Sequence, residues 1–543
     1  MYKDFTEGKA YFISRQNGRT FFKSFAKNGT VKGFYIFCEN MANTEPDMNN
    51  APGFGRGNLS RRFYLLLDIL TNTDHDHPMI KTGAARIYSN LILPLFAAAL
   101  LCATGTGCGG PSHLPVKFRY QEQKAVKDLQ AKYFAYPSTR FVVLCDPHYH
   151  HPSLGTAGPA FEKYIEDDRK MLAKGDEILD SAISRVRREI ADFILISGDL
   201  TKDGEKINHR RFEKKIRNLH PSAPVYVVPG NHDVANGAAY RYTKNGKEPV
   251  ETVSPSEFRQ IYNNYGYKKA LYEDSASLSY VAEPVPGLWV LALDSCLWRE
   301  NQPDQHPVTD GRFPPETLAW IEEMLIKAKK QEKAALAFMH HGLIEHYPSN
   351  EKYYGEYVVD NSETVARLLS AYDVRLVFTG HFHSQDITVK HTEEPSGCVY
   401  DIETGSLVTW PCPYRVVEIS EPGTCNIESR FIQSIESMPD NFRKYAREFA
   451  FQGTVGLADD ALDNYWVSEK GKKILSPQIA EAYVAHLAGD EKKPEQVLTT
   501  SGTGLMGRVV AFFQKDLVEG WWTDLLPSDN RLKIDLKNCR TQQ

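Results

Sequence analysis

From Arg140 to Phe431 the chain alternates short apolar runs with stretches whose apolar residues recur at helical spacing, the rhythm of an α/β domain. Arg140 to Cys145, Phe193 to Ser197, Val225 to Val228, Leu288 to Leu293, Ala335 to Met339 and Leu376 to Thr379 read as buried strands. Between them Gly175 to Ile190, Asn208 to Leu219, Pro255 to Tyr262, Pro314 to Lys329 and Ser362 to Ala371 read as helices. Four further apolar runs, around Asp386 to Lys390, Cys398 to Ile402, Arg415 to Ile419 and Asn426 to Phe431, follow without helices, which predicts a partly antiparallel second half. Near Pro439 the pattern becomes helical in Phe442 to Phe451, Gln478 to Leu487 and Val509 to Leu517, so residues 434–543 are expected to form a helical region packed on the main domain. Trp466, Trp521 and Trp522 are expected to serve that packing.

Upstream, the pattern changes character. Lys81 and Arg86 precede the apolar run Leu91 to Ala103, too short to span a bilayer comfortably, and residues 79–108 have the architecture of a secretory leader. Thr106-Gly107-Cys108 looks like a bacterial lipobox, with Gly105 where Leu is usual, and it makes Cys108 a candidate lipidation site beside plain secretory cleavage or a buried helix. Met79 is then the expected start of the protein. Residues 1–78 show no sustained period and read as a segment that need not fold, and 109–135 as a linker with a polar helix. The expectation is an exported protein of the cell envelope, periplasm or exterior that meets a membrane only through a lipid anchor.

At 543 residues, with 42% hydrophobic and 24% charged residues, the composition is that of a soluble globular protein with more than one folded unit. The net charge of −5 gives no general basic field, so nucleic-acid binding is not indicated. Nine cysteines show no C-x-x-C pair and no regular spacing, and predict neither a zinc knuckle nor a disulfide scaffold.

Candidate chemistry sits at strand ends, where open α/β sheets place their ligands. The first strand runs into Asp146-Pro147-His148, the second into Gly198-Asp199, the third into Gly230-Asn231-His232-Asp233; later strands run into His340-His341 and Gly380-His381-Phe382-His383. Each motif alone has an ordinary reading as a turn, a helix entry or a structural histidine. Their joint placement does not, and twelve of the seventeen histidines fall between His148 and His383. Carboxylate and amide oxygens combined with imidazole nitrogens suit Mn, Fe, Zn or Ni. Two such ions close together can activate a water and clamp a phosphoryl group, with a histidine to protonate the leaving oxygen.

This order of motifs, D-x-H, G-D, G-N-H-D, H and G-H-x-H, resembles the calcineurin-like metallophosphoesterase superfamily over about Arg140 to Ile419. The resemblance implies a β-sandwich flanked by helices (αββα) over 136–433, with the C-terminal helices as an extension. It implies two metal ions, the first on Asp146, His148 and His383, the second on Asn231, His340 and His381, with Asp199 bridging. His232 would be the proton donor or phosphate contact, oriented by Asp233. His340 is preferred to His341 because the family places its ligand at the first histidine; Gly342, where proline is frequent, leaves that choice open. His341 and Arg415 are candidates for substrate contact. The segment Gly198 to Glu205 and Leu293-Asp294-Ser295 are similar to the branch holding cyclic-nucleotide phosphodiesterases and purple-acid-phosphatase-like enzymes. The activity implied is hydrolysis of phosphomonoesters or phosphodiesters by a metal-bridged hydroxide. The alternatives are a nuclease or nucleotidase of the same fold, and a non-catalytic metal-stabilised binding module.

Overall fold

The computed structural model describes residues 117–542 apart from 167, 393–396 and 421–422, together with the strand segments 10–16, 19–25 and 31–37. The leader 79–108, with Cys108, lies outside the described residues. Ala10–Gln16, Arg19–Phe25 and Val31–Phe37 form a three-stranded antiparallel sheet within a segment expected to need no fold. These stretches are rich in Phe, Tyr, Ile and Val, and Asn17-Gly18 between the first two is a strong hairpin signal in sequence.

The larger unit is built on two seven-stranded sheets flanked by helices. In the first sheet Val225–Val228, Phe193–Ser197 and Thr139–Leu144 run parallel, and Pro413–Ser420, Thr424–Phe431, Arg531–Asp535 and Arg540–Gln542 continue it antiparallel. In the second, Leu288–Leu293, Ala334–Met339, Leu376–Thr379 and Cys398–Glu403 are parallel. Tyr280–Val285 with Tyr272–Glu273 flanks one side, and Asp386–His391 the other, antiparallel.

Strand alternation separates two cores. Leu288, Val290, Ala292, Leu336 and Phe338 share one core with Phe141, Val143, Phe193 and Leu195 of the first sheet. Trp289, Leu291, Leu293, Ala335, Ala337 and Met339 instead share a core with residues of helices Pro315–Lys330 and Ser362–Ala371. Apolar residues at both alternating sets explain why these strands read as continuous hydrophobic runs. Between the sheets Phe141 stacks on Phe193 at 4.5 Å and meets Phe378 edge-on at 5.4 Å.

The C-terminal region differs from its prediction in two respects. Helices Phe442–Asp463, Glu469–Ala488 and Gly504–Trp521 are present and longer than their apolar spacing suggested. The chain then returns as two strands, with Leu532 and Ile534 buried between exposed Arg531 and Lys533, the alternation of a half-buried strand. Trp521 is buried as expected, but Trp466 is 83% exposed and packs no core. A second correction concerns the cysteines: Cys398 in the second sheet and Cys539 next to the last strand of the first form a disulfide, their Cα atoms 6.1 Å apart. Their sequence separation of 141 has no local signal. Among the described residues, no helix is long and apolar enough to cross a membrane.

Candidate metal centre

Each of the five motifs leaves the C-terminal end of a parallel strand, so their loops meet at one edge of the sandwich. Tight turns aim the side chains inward. Asp146, His148, Asp199, His381 and His383 all have positive φ, between 36° and 76°, a region that costs non-glycine residues about 1–3 kcal/mol each. Two glycines are required by close approach: a Cβ at Gly230 would lie 2.1 Å from Asp199 Oδ1, and one at Gly380 2.4 Å from Asp146 Oδ2.

The loops bring together the side chains predicted as ligands. Asp146, His148, Asp199 and His383 present ligand atoms within 4.8 Å of one another, and so do Asp199, His340 and His381, with Asp199 common to both groups. His148 Nε2 and His383 Nε2 face each other at 3.0 Å, and Asp199 Oδ2 is 3.5 Å from His148 Nε2 and 3.4 Å from His340 Nε2. His340 Nδ1–H donates to the Ser197 carbonyl at 3.1 Å, which turns Nε2 inward to face Asn231 Oδ1 at 3.1 Å. Imidazole nitrogens and carboxylate and amide oxygens thus converge on one small buried volume. Asp146 Oδ1 and His381 Nε2 are buried without a hydrogen-bond partner. Buried polar atoms are rarely left so; bound metal between these groups would account for them, and the residues fit such a group.

Electrostatics agree. Burial pushes the pKa values of His148, His381 and His383 below the ordinary range, so these rings are neutral and able to ligate. Burial opposes charge on His340 too, but Asp199 outweighs it and lifts its pKa to about 9, while His340, His232 and His148 hold buried Asp199 well below the carboxylate range.

His341, a candidate for substrate contact, is not available for it. Its Nε2–H donates to the Thr309 carbonyl at 2.9 Å, its Nδ1 pairs with the Ser295 hydroxyl at 2.7 Å, and burial pushes its pKa down to about 3. It is a neutral support whose ring lies 4.4 Å from that of His381, and the pairing gives Ser295 of the Leu293-Asp294-Ser295 segment its place. The geometry places His340, not His341, within the cluster of candidate ligands. Arg415 also departs from expectation. It is fully buried, and its guanidinium donates to the carbonyls of Asp386, Glu403 and Asp529 and to the Ser429 hydroxyl, because it lies on a strand enclosed by the returning C-terminal segment.

Asp233 does not orient His232. Its carboxylate accepts the N–H groups of Leu200, Thr201 and Gly230 at 2.9–3.0 Å and the Thr201 hydroxyl at 2.8 Å, bracing one motif loop against another. Burial pushes its pKa up to about 7. The group that orients His232 is Asp203, whose Oδ1 is 2.8 Å from His232 Nδ1. Asp203 is in turn paired with buried Lys202, which lies 3.3 Å from Glu205 and over the Tyr164 ring. Burial disfavours charge on His232, but Asp199 and Asp203 reverse this and raise its pKa above the ordinary value. Its Nε2 is 4.0 Å from Asp199 Oδ2 and its side chain is 21% exposed, so it borders both cluster and solvent. Of the histidines after the first motif, His150 is buried and bonded to the Gly155 carbonyl, and His151 pairs with Ser153.

The C-terminal region reaches this centre through aromatic side chains. Phe382, between the candidate ligands His381 and His383, meets Tyr483 of that region at 6.0 Å and Tyr357 of the main domain at 5.0 Å, and Tyr357 lies 4.5 Å from the His381 ring.

Residues 139–385 match the family described as calcineurin-like phosphoesterase. The chain is 26% identical over 203 residues to a probable glycerophosphodiester phosphodiesterase, GpdQ, of Arcobacter nitrofigilis, across 36% of this chain and 59% of that protein. It is 21% identical over 254 residues to a probable cyclic nucleotide phosphodiesterase of Synechococcus sp., across 47% of this chain and 82% of that protein. The match thus spans 59% of the length of the first of these relatives. Among solved structures, wild-type Vps29 of Entamoeba histolytica complexed with zinc is similar over 53% of this chain and 91% of its own, with 12% identity and a TM-score of 0.21.

Proposed function

We propose, from the premise that the chain belongs to the calcineurin-like metallophosphoesterase superfamily, that it is a dinuclear-metal hydrolase of phosphoric esters, with phosphodiesters its preferred class. The observation that carries the reading is the convergence of seven Asp, His and Asn side chains from five loops on one buried point, with Asp199 common to both halves. Asp146, His148 and His383 would hold one cation, Asn231, His340 and His381 the other, and Asp199 both. A pair of divalent cations there supplies Lewis-acid activation of the attacking water and neutralises charge on the phosphoryl oxygens.

The remaining steps belong to the chain itself. Protonated His232, with Nδ1–H held by Asp203, presents Nε2–H at the rim of the cluster, where it donates a proton to the departing ester oxygen. Asp203 keeps the ring in that tautomer and stabilises its charge. Asp233 fixes the Gly198 to Thr201 loop against the Gly230 loop, and with them the positions of Asp199 and Asn231. The preference for diesters draws on the printed descriptions of the two curated relatives. An exported location is part of the proposal; the leader pattern at 79–108 supports it, and so does the Cys398–Cys539 disulfide, since such bonds persist in oxidising compartments.

Hydrolysis of bis(p-nitrophenyl) phosphate measured against p-nitrophenyl phosphate, before and after chelation and metal return, tests the reading. Metal-dependent turnover with the diester ahead is expected; full activity after thorough chelation would overturn it. Mass spectrometry of the mature N-terminus tests export, which an unprocessed chain starting at Met1 would refute.

A further inference from the structure

A second cluster repeats the features of the metal centre in a different place. Asp386 opens the strand Asp386–His391, His486 ends the helix Glu469–Ala488, and Glu491 follows in the loop; their ligand atoms lie within 4.8 Å of one another. All three side chains are at least 98% buried. His486 Nδ1 is 2.6 Å from Glu491 Oε1, yet His486 Nε2 and Glu491 Oε2 have no hydrogen-bond partner. The same kind of orphaned atoms, Asp146 Oδ1 and His381 Nε2, marks the catalytic cluster.

Charge is unbalanced here. Asp401 and Glu403 are buried beside His346, at 3.1 and 3.6 Å from its Nε2, and Asp386 is 2.9 Å from its Nδ1. The fixed cation in the neighbourhood, Arg415, directs its bonds to three carbonyls and a hydroxyl rather than to these carboxylates. His346 and His486, whose pKa values the carboxylates beside them raise, offset part of this charge, and a divalent cation on the orphaned atoms would offset more.

We propose that Asp386, His486 and Glu491 form a third divalent-cation site, distinct from the catalytic pair, which fastens the C-terminal region to the strand that follows the Gly380 to His383 motif. The two-carboxylate, one-imidazole donor set suits zinc or manganese. The ion ties chain segments about a hundred residues apart in sequence, beside the Gln385 N–H bond to the Leu487 carbonyl at 3.2 Å. The inference does not rest on the catalytic reading.

The test counts zinc per full-length chain after loading and dialysis, in an Asp199→Asn background that weakens the catalytic pair. One tightly held zinc is expected to remain, and Glu491→Gln to remove it. Zinc is expected to raise the melting temperature of the chelated Asp199→Asn protein by several degrees and to have no such effect once Glu491→Gln is added. His486→Gln serves as the second variant should the first not fold, with far-ultraviolet circular dichroism as the check. Zinc content and melting temperature unmoved by both substitutions in folded protein would overturn the proposal. So would an Asp199→Asn protein that folds and retains no zinc. Near-normal turnover of the Asp199→Asn protein, with the zinc at His486 retained, would count against the catalytic reading alone.

Discussion

The buried cluster around Asp199 and the one around His486 use the same side chains and are assembled in opposite ways. At Asp199 each ligand belongs to a motif of two to four residues placed directly after a strand, so the sheets' parallel order alone gathers them. At His486 the groups come from a strand start, a helix end and a loop, and only tertiary packing makes them neighbours. The first arrangement concentrates strain in five left-handed residues; the second has no positive φ at Asp386, His486 or Glu491. The difference teaches that strained loops can gather ligand-type side chains at one edge, as the reacting centre proposed for the first cluster requires, while relaxed residues suit the fastening proposed for the second.

The largest effects should fall on activity at the strained cluster. Asp199→Asn removes the one carboxylate common to both ligand groups and is expected to lower kcat/KM by about three orders of magnitude or more, ~4 kcal/mol of transition-state stabilisation. Steady-state kinetics with bis(p-nitrophenyl) phosphate checks this, and near-normal turnover would remove Asp199 from the mechanism. Asp203→Asn should cost about 10–100-fold in kcat, the usual range for a partner that orients a working imidazole, with metal content unchanged. If Asp233→Asn lowers kcat by a like factor and Asp203→Asn does not, the orienting role returns to Asp233.

The same contrast explains what could be read in advance. Residue identity next to a strand end was enough for Asp146, Asp199 and Asn231, because a parallel strand carries its following residue to the same edge. Choosing Asp203 over Asp233 required the turn after Leu200, which folds Asp203 onto His232 and leaves Asp233 facing amides. The choice between His340 and His341, left open in the sequence, depends on which ring finds the Ser197 carbonyl and which the Thr309 carbonyl, and neither is near in sequence. Arg415 could not be placed without the returning segment at Asp529. The strand Arg531–Asp535 was legible by its alternation but overshadowed by the helical pattern before it. Asn17-Gly18 was likewise a signal present and unused.

Stability experiments sharpen the comparison on its structural side. Asp233→Ala leaves three buried N–H groups without acceptors, an expected loss of about 3 kcal/mol or more in denaturant titration, whether or not metal is bound. Cys398→Ser should cost about 2–4 kcal/mol by releasing a bridge that closes a long loop. It should leave turnover at 25 °C nearly unchanged, because Cys398 lies at the start of its strand and touches none of the ligands. A Cys398→Ser protein that is as stable as the parent under oxidising conditions would show that the bridge restrains nothing.

The smallest expected effect is a pH slope, and it bears directly on the fastening. In the chelated protein burial pushes the Glu403 carboxyl up to about 8 and the Asp524 carboxyl up to about 7. A carboxyl whose folded pKa exceeds its unfolded one binds more protons when folded, so its contribution is full below the unfolded value and is lost as pH rises through the folded one. His340, raised to about 9, acts in the same direction, since its stabilising charge is present below the unfolded value and lost above the folded one. Buried histidines with lowered values, such as His209 at about 4 and His341 at about 3, are neutral when folded and largely neutral when unfolded above about pH 7.5, so they oppose the fall only at the low end of the range. Between about pH 6.5 and 8 the chelated chain should therefore become less stable, and Glu403→Gln should flatten part of that fall. Zinc should flatten it in the parent, because an ion at Asp386, His486 and Glu491 favours the charged carboxylates around it. A slope that Glu403→Gln leaves intact would place its source at the Asp199 cluster instead, and the charge imbalance assigned to the His486 cluster would no longer distinguish the two.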